Sequence, residues 1–223
     1  MKRLLCLLLS FAFLCPVTAR ADAGTVALTF DDGPSGRFTR ALLQGLEQRQ
    51  VKATFLLCGY RLKDYPKEGK QILQAGHEIG LHGYSHDPMD KMSRRELEQE
   101  LKANLALLPQ GCRPVFLRAP GGACSELVRQ TAKDYGLAVL NWSVDPRDWA
   151  TRDAGAITAM VLDNVRDGDV ILLHDMTDAS VEAALRIIDR LKAQGFRFVT
   201  VSELAKEKGI TIHPGQEYFR FGN

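Results

Sequence analysis

Short apolar runs alternate with amphipathic stretches along most of the chain, and turn-forming residues separate them. Apolar runs of about four to eight residues are typical of buried strands, and an apolar spacing near 3.6 residues is typical of helices. The predicted strands are residues 25–30, 53–58, 78–81, 115–118, 137–144, 170–173 and 196–201. The predicted helices are residues 39–48, 66–75, 93–108, 126–135, 153–165, 180–194 and 202–208, followed by a tail to residue 223.

The regular alternation of strand and helix predicts a parallel sheet covered by helices. Ser93 followed by Glu96 is a capping-box signature, which marks the start of one of these helices. About seven such units in about 200 residues favour a barrel, complete or incomplete, within a single domain. An open doubly wound sheet is the alternative, because periodicity alone does not show whether a sheet closes.

The N-terminal segment has the features of a secretory signal peptide. Lys2 and Arg3 precede an apolar segment at residues 4–17, and small residues with A-x-A cleavage patterns follow it. A membrane anchor needs roughly 20 apolar residues, and this segment is too short for a stable one. We therefore expect residues 1–23 to be removed on export and residues 24–223 to form a periplasmic or secreted domain.

The exported chain carries no excess charge. The full sequence has 29 basic and 27 acidic residues, and cleavage removes three basic residues and one acidic residue, which leaves 26 of each. A balanced chain gives no electrostatic reason to bind nucleic acid or an anionic membrane surface. Three cysteines remain, namely Cys58, Cys112 and Cys124. Free buried thiols are the favoured state; a bridge, if one forms, is expected between Cys58 and Cys124, which both follow strands.

Unusual polar residues gather at the C-terminal ends of the predicted strands, where barrel enzymes build their sites. They are Asp31 and Asp32 after the first strand, His82 and His86 after the third, Arg118 at the end of the fourth, Asp145 and Asp148 after the fifth, and His174 after the sixth. Structural polar residues would not be expected to sort to one end of a sheet. The pattern therefore predicts one functional site on this face.

Asp32, His82 and His86 together form a two-histidine, one-carboxylate set that suits a divalent metal with open positions. The histidines are four residues apart, so a single helical turn is expected to place both rings on one face. Zinc is the expected metal, and the same ligands accept cobalt, nickel or iron. Asp31 is then free to act as a general base on a water molecule.

His174 is the candidate general acid on the other side of this site, with Asp148 and Asp175 both candidates for orienting its imidazole. Arg118 is placed to hold Asp31 ionised. Trp149 offers a flat apolar surface that suits a sugar ring, whereas Trp142 is expected to lie in the core within the fifth strand.

Five ordered segments of the chain resemble the motifs of the polysaccharide deacetylases, the NodB-homology family also called carbohydrate esterase family 4. They are Thr29-Phe30-Asp31-Asp32-Gly33-Pro34, the His82-x-x-x-His86 segment, Arg118-Ala119-Pro120, Asp145-Pro146-Arg147-Asp148-Trp149 and Leu172-Leu173-His174. The resemblance implies a distorted (β/α)7 barrel that removes N-acetyl groups from N-acetylglucosamine units of a glycan and releases acetate.

The resemblance also implies a role for each matching residue. Those roles are Asp31 as base; Asp32, His82 and His86 as metal ligands; Arg118 supporting Asp31; Asp148 tuning the acid His174; Leu172 lining the pocket for the acetyl methyl group; and Trp149 forming a groove wall.

Two positions depart from the pattern. Gly83 stands where the family usually has a serine or threonine that steadies the metal loop, and Gly121 stands where an aromatic residue usually follows the proline. The Gly121 N–H can still serve as an oxyanion donor, so we expect activity in a wider groove.

Three alternatives remain at this point. A non-catalytic glycan-binding module of the same fold would normally have lost Asp31 or His174. A non-haem iron oxygenase shares the ligand set but does not need that base and acid. An O-acetyl esterase acting on xylan or another glycan uses the same groups, so the sequence does not separate ester from amide chemistry. It also does not name the glycan; peptidoglycan, chitin oligomers and poly-N-acetylglucosamine all fit.

Overall fold

The computed structural model describes residues 23–222, so the expected signal peptide lies almost entirely outside the described residues. The strands are β1 (Gly24–Asp31), β2 (Thr54–Leu57), β3 (Glu78–Leu81), β4 (Phe116–Leu117), β5 (Ala138–Leu140), β6 (Val170–His174), β7 (Phe196–Phe198) and β8 (Glu217–Tyr218). The helices are α1 (Arg37–Gln48), α2 (Gly59–Asp64), α3 (Pro66–Gln74), α4 (Arg94–Leu105), α5 (Glu126–Asp134), α6 (Ala154–Asn164), α7 (Asp178–Gln194) and α8 (Val201–Glu207). None of the helices formed by the described residues has both the length and the apolar composition needed to cross a bilayer.

The strands form one parallel sheet in the order β6-β1-β2-β3-β4-β5-β8, and β7 pairs with the first residues of β1. The two edges of this order meet. Val144, just beyond β5, makes a parallel bridge with Ile171 of β6, and Arg220, just beyond β8, makes an antiparallel bridge with Asp169. The sheet therefore curls into an irregular barrel covered by helices, which confirms the distorted (β/α) barrel.

Three local predictions differ from the structure. The predicted fifth strand, 137–144, is regular only at Ala138–Leu140, because the chain then crosses toward β6, where the Ser143 N–H donates to the Val170 carbonyl over 3.0 Å. The predicted tail contributes β8, held by Tyr218, whose ring stacks on Phe221 with centroids 5.4 Å apart. Helix α2 was missed, since it is only six residues long, begins directly after β2 and has no side-chain cap.

Local signals set several helix ends as expected. At α4 the Ser93 hydroxyl accepts from the Glu96 N–H, and the Glu96 carboxylate accepts from the Ser93 N–H over 2.7 Å. A cap of this kind contributes about 1 kcal/mol to helix stability. Helix α7 ends at Gly195, whose φ of 100° lies in the left-handed region that glycine adopts most readily. These ends fix where each loop leaves the barrel.

The core consists of the apolar strand residues and the inward faces of the helices. Phe30 of β1 and Phe55 of β2 are fully buried with ring centroids 5.2 Å apart. Burying a side chain of this size contributes about 1.5–3 kcal/mol. Cys58, Cys112 and Cys124 are free thiols; Cys58 and Cys112 are buried, Cys124 is half-buried, and no bridge joins Cys58 to Cys124. The strand ends above this core carry the polar residues that were predicted to form the site.

Candidate active site

The first two carboxylates of the site follow β1 but have different surroundings. Asp31 is the last residue of β1 and is 2% exposed, whereas Asp32 has a φ of 70°, a left-handed conformation that is uncommon outside glycine. In the register of β1 against β6, Asp31 stands beside His174. The expected base and acid therefore lie on neighbouring strands, and the turn at Asp32 leads its carboxylate to other partners.

Arg118 holds Asp31 from inside the barrel. Its guanidinium is fully buried and donates from Nη1 to Asp31 Oδ1 over 2.6 Å and to Thr29 Oγ1 over 2.8 Å. The backbone carbonyls of Leu140 and Asn141 accept from Nε and Nη2 over 3.0 and 2.8 Å. Opposite charges buried together with satisfied donors compensate each other. This pairing occupies Oδ1 of Asp31, and Oδ2 lies on the side of the histidines, 3.7 Å from His82 Nε2.

Asp32, His82 and His86 converge on one point. Oδ1 of Asp32 lies 3.3 Å from His82 Nε2 and 3.1 Å from His86 Nε2, and the three potential ligand atoms all fall within 4.8 Å of one another. That oxygen is buried and makes no hydrogen bond of normal geometry with the residues described. Burial alone would raise the pKa of Asp32, but the two imidazoles outweigh it and hold this pKa well below its usual range.

The tautomer of His82 is set by its second nitrogen. Nδ1 lies 2.8 Å from the Arg118 backbone carbonyl, which can only accept a hydrogen bond, so Nδ1 carries the proton. Nε2 therefore keeps its lone pair toward Asp32, in the arrangement that metal-binding histidines adopt. A bare imidazole nitrogen, an unpartnered buried carboxylate oxygen and a second imidazole fit a divalent metal of the zinc class.

The histidine pair does not use a helical turn, so that expectation is wrong. β3 ends at Leu81, and the chain continues as a loop with positive φ at Gly83 (75°) and His86 (70°). The two rings face each other edge to face with centroids 5.2 Å apart. A loop brings the rings together here because its backbone turns back at these two positions.

The candidate acid is oriented by Asp148. Its Oδ1 lies 2.7 Å from His174 Nδ1, and its Oδ2 accepts from the His174 backbone N–H over 2.9 Å. Burial by itself would lower the pKa of His174, but the hydrogen bond and charge of Asp148 raise this pKa to about 9. The structure thus selects Asp148 of the two candidates. Asp175 instead accepts a hydrogen bond from Thr39, and burial raises the pKa of Asp175 to about 6.

These groups line one cavity of about 370 Å³. Its lining residues are Asp31, Asp32, His82, His86, Gly121, Trp142, Asp145, Trp149, Leu172 and His174. The structure thus gathers every predicted ligand, acid, base and substrate-binding residue in one place, with Arg118 and Asp148 behind the lining.

Two lining residues, Trp142 and Asp145, had been given no specific role in the site. Trp142 was expected within the fifth strand, but it lies beyond β5, half-buried, and its ring packs over Arg118 at 5.5 Å while forming part of the wall. Asp145 accepts from the Arg147 N–H over 2.8 Å and shapes the rim. Its position after the predicted fifth strand had already placed it on this face of the sheet, and the structure adds that it lines the cavity.

The rim of the cavity is open on one side. Trp149 is 55% exposed, and the Arg147 guanidinium lies 5.0 Å from its ring centre. Gly121 has a φ of 68°, and a Cβ built there meets nothing within 4 Å. The groove is therefore free of a side chain at position 121, as the sequence indicated.

Comparison with known proteins identifies relatives over most of the chain. A sequence profile described as polysaccharide deacetylase matches residues 18–140. The peptidoglycan-N-acetylglucosamine deacetylase PgdA of Listeria monocytogenes is 38% identical over 196 residues, which cover 87% of this chain and 41% of the relative. The chain thus spans about two-fifths of the length of that relative. A chitooligosaccharide deacetylase of Sinorhizobium fredii is 39% identical over 191 residues, which cover 78% of this chain and 88% of the relative.

A solved structure shares the whole fold. The family 4 acetyl xylan esterase from Clostridium thermocellum, in complex with a cobalt ion, matches with a TM-score of 0.82 and 33% identity, covering 89% of this chain and 100% of that one. Because the family profile matches more than half of the sequence and the relatives extend over most of it, this chain belongs to the polysaccharide deacetylase family.

Proposed function

We propose that this protein is a metal-dependent N-deacetylase that hydrolyses the acetamide of N-acetylglucosamine units in a glycan and releases acetate. The observation that carries the proposal is the arrangement of three groups around one cavity: the Asp31–Arg118 pair, the His174–Asp148 pair and the trio of potential metal ligands. The names of the two relatives support an amide substrate of this class.

Asp32, His82 and His86 would hold the metal, expected to be zinc, with the cobalt ion of the acetyl xylan esterase in support of a divalent ion. A metal held there would activate a water molecule and polarise the substrate carbonyl. Oδ2 of Asp31 takes the proton from the attacking water, since Oδ1 is engaged by Arg118. The orientation of this carboxylate is fixed before substrate arrives.

His174 completes the reaction at the nitrogen. Water adds its oxygen to the carbonyl carbon, the carbon–nitrogen bond breaks, and Nε2 of His174 gives its proton to the departing amine. Asp148 keeps the imidazole protonated by occupying Nδ1. Gly121 lines the cavity, and its N–H would serve as a donor to the developing oxyanion. Leu172 faces the acetyl methyl group, and Trp149 receives the face of a sugar ring.

A glycan with N-acetylglucosamine is the proposed substrate, and export of the chain after residue 23 would bring the enzyme to the cell-wall side of the membrane. An O-acetyl esterase on xylan is the second candidate, because the acetyl xylan esterase shares the fold over its whole length. The leaving group distinguishes them: an amine needs the proton of His174 more than an alcohol does.

The test measures acetate released by residues 24–223 from N-acetylglucosamine oligomers, peptidoglycan and acetylated xylan. Each substrate is assayed with added zinc, with a chelator, and without oxygen, for the wild type and for Asp31→Asn. Asp189→Asn is the matched control, since Asp189 is an exposed carboxylate on α7 that pairs with Arg49. The proposal is supported if the chelator abolishes amide cleavage by the wild type, and if Asp31→Asn loses this activity while Asp189→Asn keeps it.

Other outcomes identify the alternatives. Acetate from xylan only indicates an esterase. Release that requires oxygen indicates an oxygenase. Bound zinc with no acetate from any of the three substrates contradicts catalysis on these glycans and favours a glycan-binding module.

A further inference from the structure

Glu100 on α4 reaches the loop that joins the two histidine ligands. Its Oε2 accepts from the Tyr84 N–H over 2.7 Å and from the Ser85 N–H over 2.9 Å. Both amides lie between His82 and His86. A carboxylate that accepts from two backbone N–H groups makes charge-assisted hydrogen bonds, about twice as strong as neutral ones. One side chain thus fixes the middle of the loop from His82 to His86, which we call the metal loop.

The same loop is held from its other side by backbone contacts. The carbonyls of Gly83 and Tyr84 accept from the Gly59 and Tyr60 N–H groups at the start of α2, over 2.9 and 3.0 Å. The loop is therefore fixed between α2, which takes its carbonyls, and Glu100, which takes its amides. Helix α2, which the sequence did not predict, therefore helps to hold this loop through its first two N–H groups.

The two histidines depend on this loop to different degrees. His82 is 3% exposed at its side chain, and the Arg118 carbonyl fixes its ring. The side chain of His86 is 43% exposed, and its backbone sits at a φ of 70°. The placement of the His86 ring against Asp32 therefore follows from the backbone that Glu100 holds.

A side chain at position 83 would compete with the Glu100 carboxylate for the same space. A Cβ at position 83 would lie 3.1 Å from Glu100 Oε2 and 2.7 Å from the terminal methyl of Met89, on a backbone with a φ of 75°. Glycine at this position leaves the room in which the carboxylate meets the loop amides. A side chain there would displace the carboxylate or strain the turn.

We propose that Glu100 is a positioning residue, which holds the His82–His86 loop so that His86 completes the metal site, and that Gly83 is glycine to admit it. The proposal rests on the proposed function only in that the trio binds a metal. Glu100 is neither among the residues that line the cavity nor one of the three potential ligands, so its contribution is separable from catalysis.

The test compares Glu100→Ala and Glu100→Gln with the control Glu98→Ala. Glu98 lies on the same helix and pairs with Arg94 and Lys102 instead of the loop. The first readout is the Kd for Zn²⁺ alone, by chelator competition. We expect Glu100→Ala to raise this Kd about 10- to 100-fold, the usual cost of losing a group that orients a ligand. The Kd of Glu100→Gln should lie between those of the wild type and Glu100→Ala, and the Kd of Glu98→Ala should match that of the wild type.

The second readout is amide hydrogen exchange in the metal-free protein. The Tyr84 and Ser85 amides should exchange faster in Glu100→Ala than in the wild type. Their exchange rates should be unchanged in Glu98→Ala. Unchanged exchange at both amides overturns the proposal whether or not the protein binds metal. An unchanged Zn²⁺ affinity in a wild type that binds Zn²⁺ also overturns it. A wild type that binds no Zn²⁺ contradicts the proposed function alone, since the exchange experiment still decides the role of Glu100.

Gly83→Ser supplies an independent variant if Glu100→Ala does not fold. Gly83→Ser is expected to displace the Glu100 carboxylate from the loop amides, and Glu100→Gln already weakens those hydrogen bonds. The two changes are therefore coupled, and the increase in Kd caused by Gly83→Ser should be smaller in a Glu100→Gln background than in the wild type. Additive effects would contradict the shared space of Gly83 and Glu100.

Discussion

The pairing of Asp148 with His174 makes a quantitative prediction about pH. Asp148 is fully buried and accepts two hydrogen bonds from His174, one from the ring and one from the backbone N–H. In Asp148→Asn the carboxamide has one accepting oxygen, so its NH₂ group faces one of these donors. The rise of the His174 pKa from 6.5 to about 9 corresponds to about 3 kcal/mol in favour of the imidazolium. Removing the charge should lower that pKa by about 2 units.

The assay is the pH dependence of kcat for acetate release. The acid acts in its protonated form, so activity falls as pH rises through the His174 pKa, and Asp148→Asn should move this alkaline limb down by about 2 pH units. At pH 8 the protonated fraction would fall from about nine-tenths to about one-tenth. Asp153→Asn is the control, since Asp153 is an exposed N-cap outside the cavity and asparagine caps equally well.

Stability provides a second measure with a defined sign. The folded-state pKa of His174 is raised, so its contribution to the free energy of unfolding is fully present below about pH 6.5 and is lost as pH rises through about 9. The stability difference between the wild type and Asp148→Asn should narrow over that interval. An alkaline limb that stays in place, or a difference that widens with pH, would refute the role given to Asp148.

Three further predictions concern a buried ion pair of the site, the packing of a glycine before β6, and the exposed ring at the cavity rim. Arg118→Met leaves a buried carboxylate unpaired at the end of β1, so urea unfolding should show a loss of about 3–5 kcal/mol; a loss below about 1 kcal/mol would contradict the pairing. Gly168→Ala places a Cβ 1.9 Å from the Phe221 carbonyl oxygen, and a thermal melt should show a larger loss than for Gly209→Ala, where a Cβ meets nothing within 4 Å. Trp149→Ala should raise KM for oligomers several-fold with kcat nearly unchanged, because an exposed ring binds ground state and transition state alike; an equal fall in kcat would contradict a purely binding role.

The sequence was informative where local patterns and strand polarity decide the outcome. Parallel strands all end on the same face, so residues that follow successive strands were expected to meet, and Asp31, His82 and His174 do line one cavity. The Ser93 capping box also formed as predicted, since its partner lies three residues away. The ordered motifs indicated the family, which the comparisons confirm.

Other features required the tertiary structure. Position in the chain offered both Asp148 and Asp175 as partners of His174, and the family resemblance favoured Asp148; the packed loop shows that Asp148, 26 residues away, reaches the ring. The bend after β5 that turns Trp142 into the cavity depends on pairing with β6, and β8 exists because the tail finds an unpaired edge at β5.

The metal loop shows the division most clearly. The sequence by itself determined which side chains could bind a metal and on which face of the barrel they would lie, because residue type and strand order fix both. Only the tertiary structure decided how His86 reaches Asp32, since that geometry rests on the contact of Glu100 with Tyr84 and Ser85. Hydrogen bonds between segments separated along the chain leave no periodic signal in the sequence, so they appear only once the chain has folded.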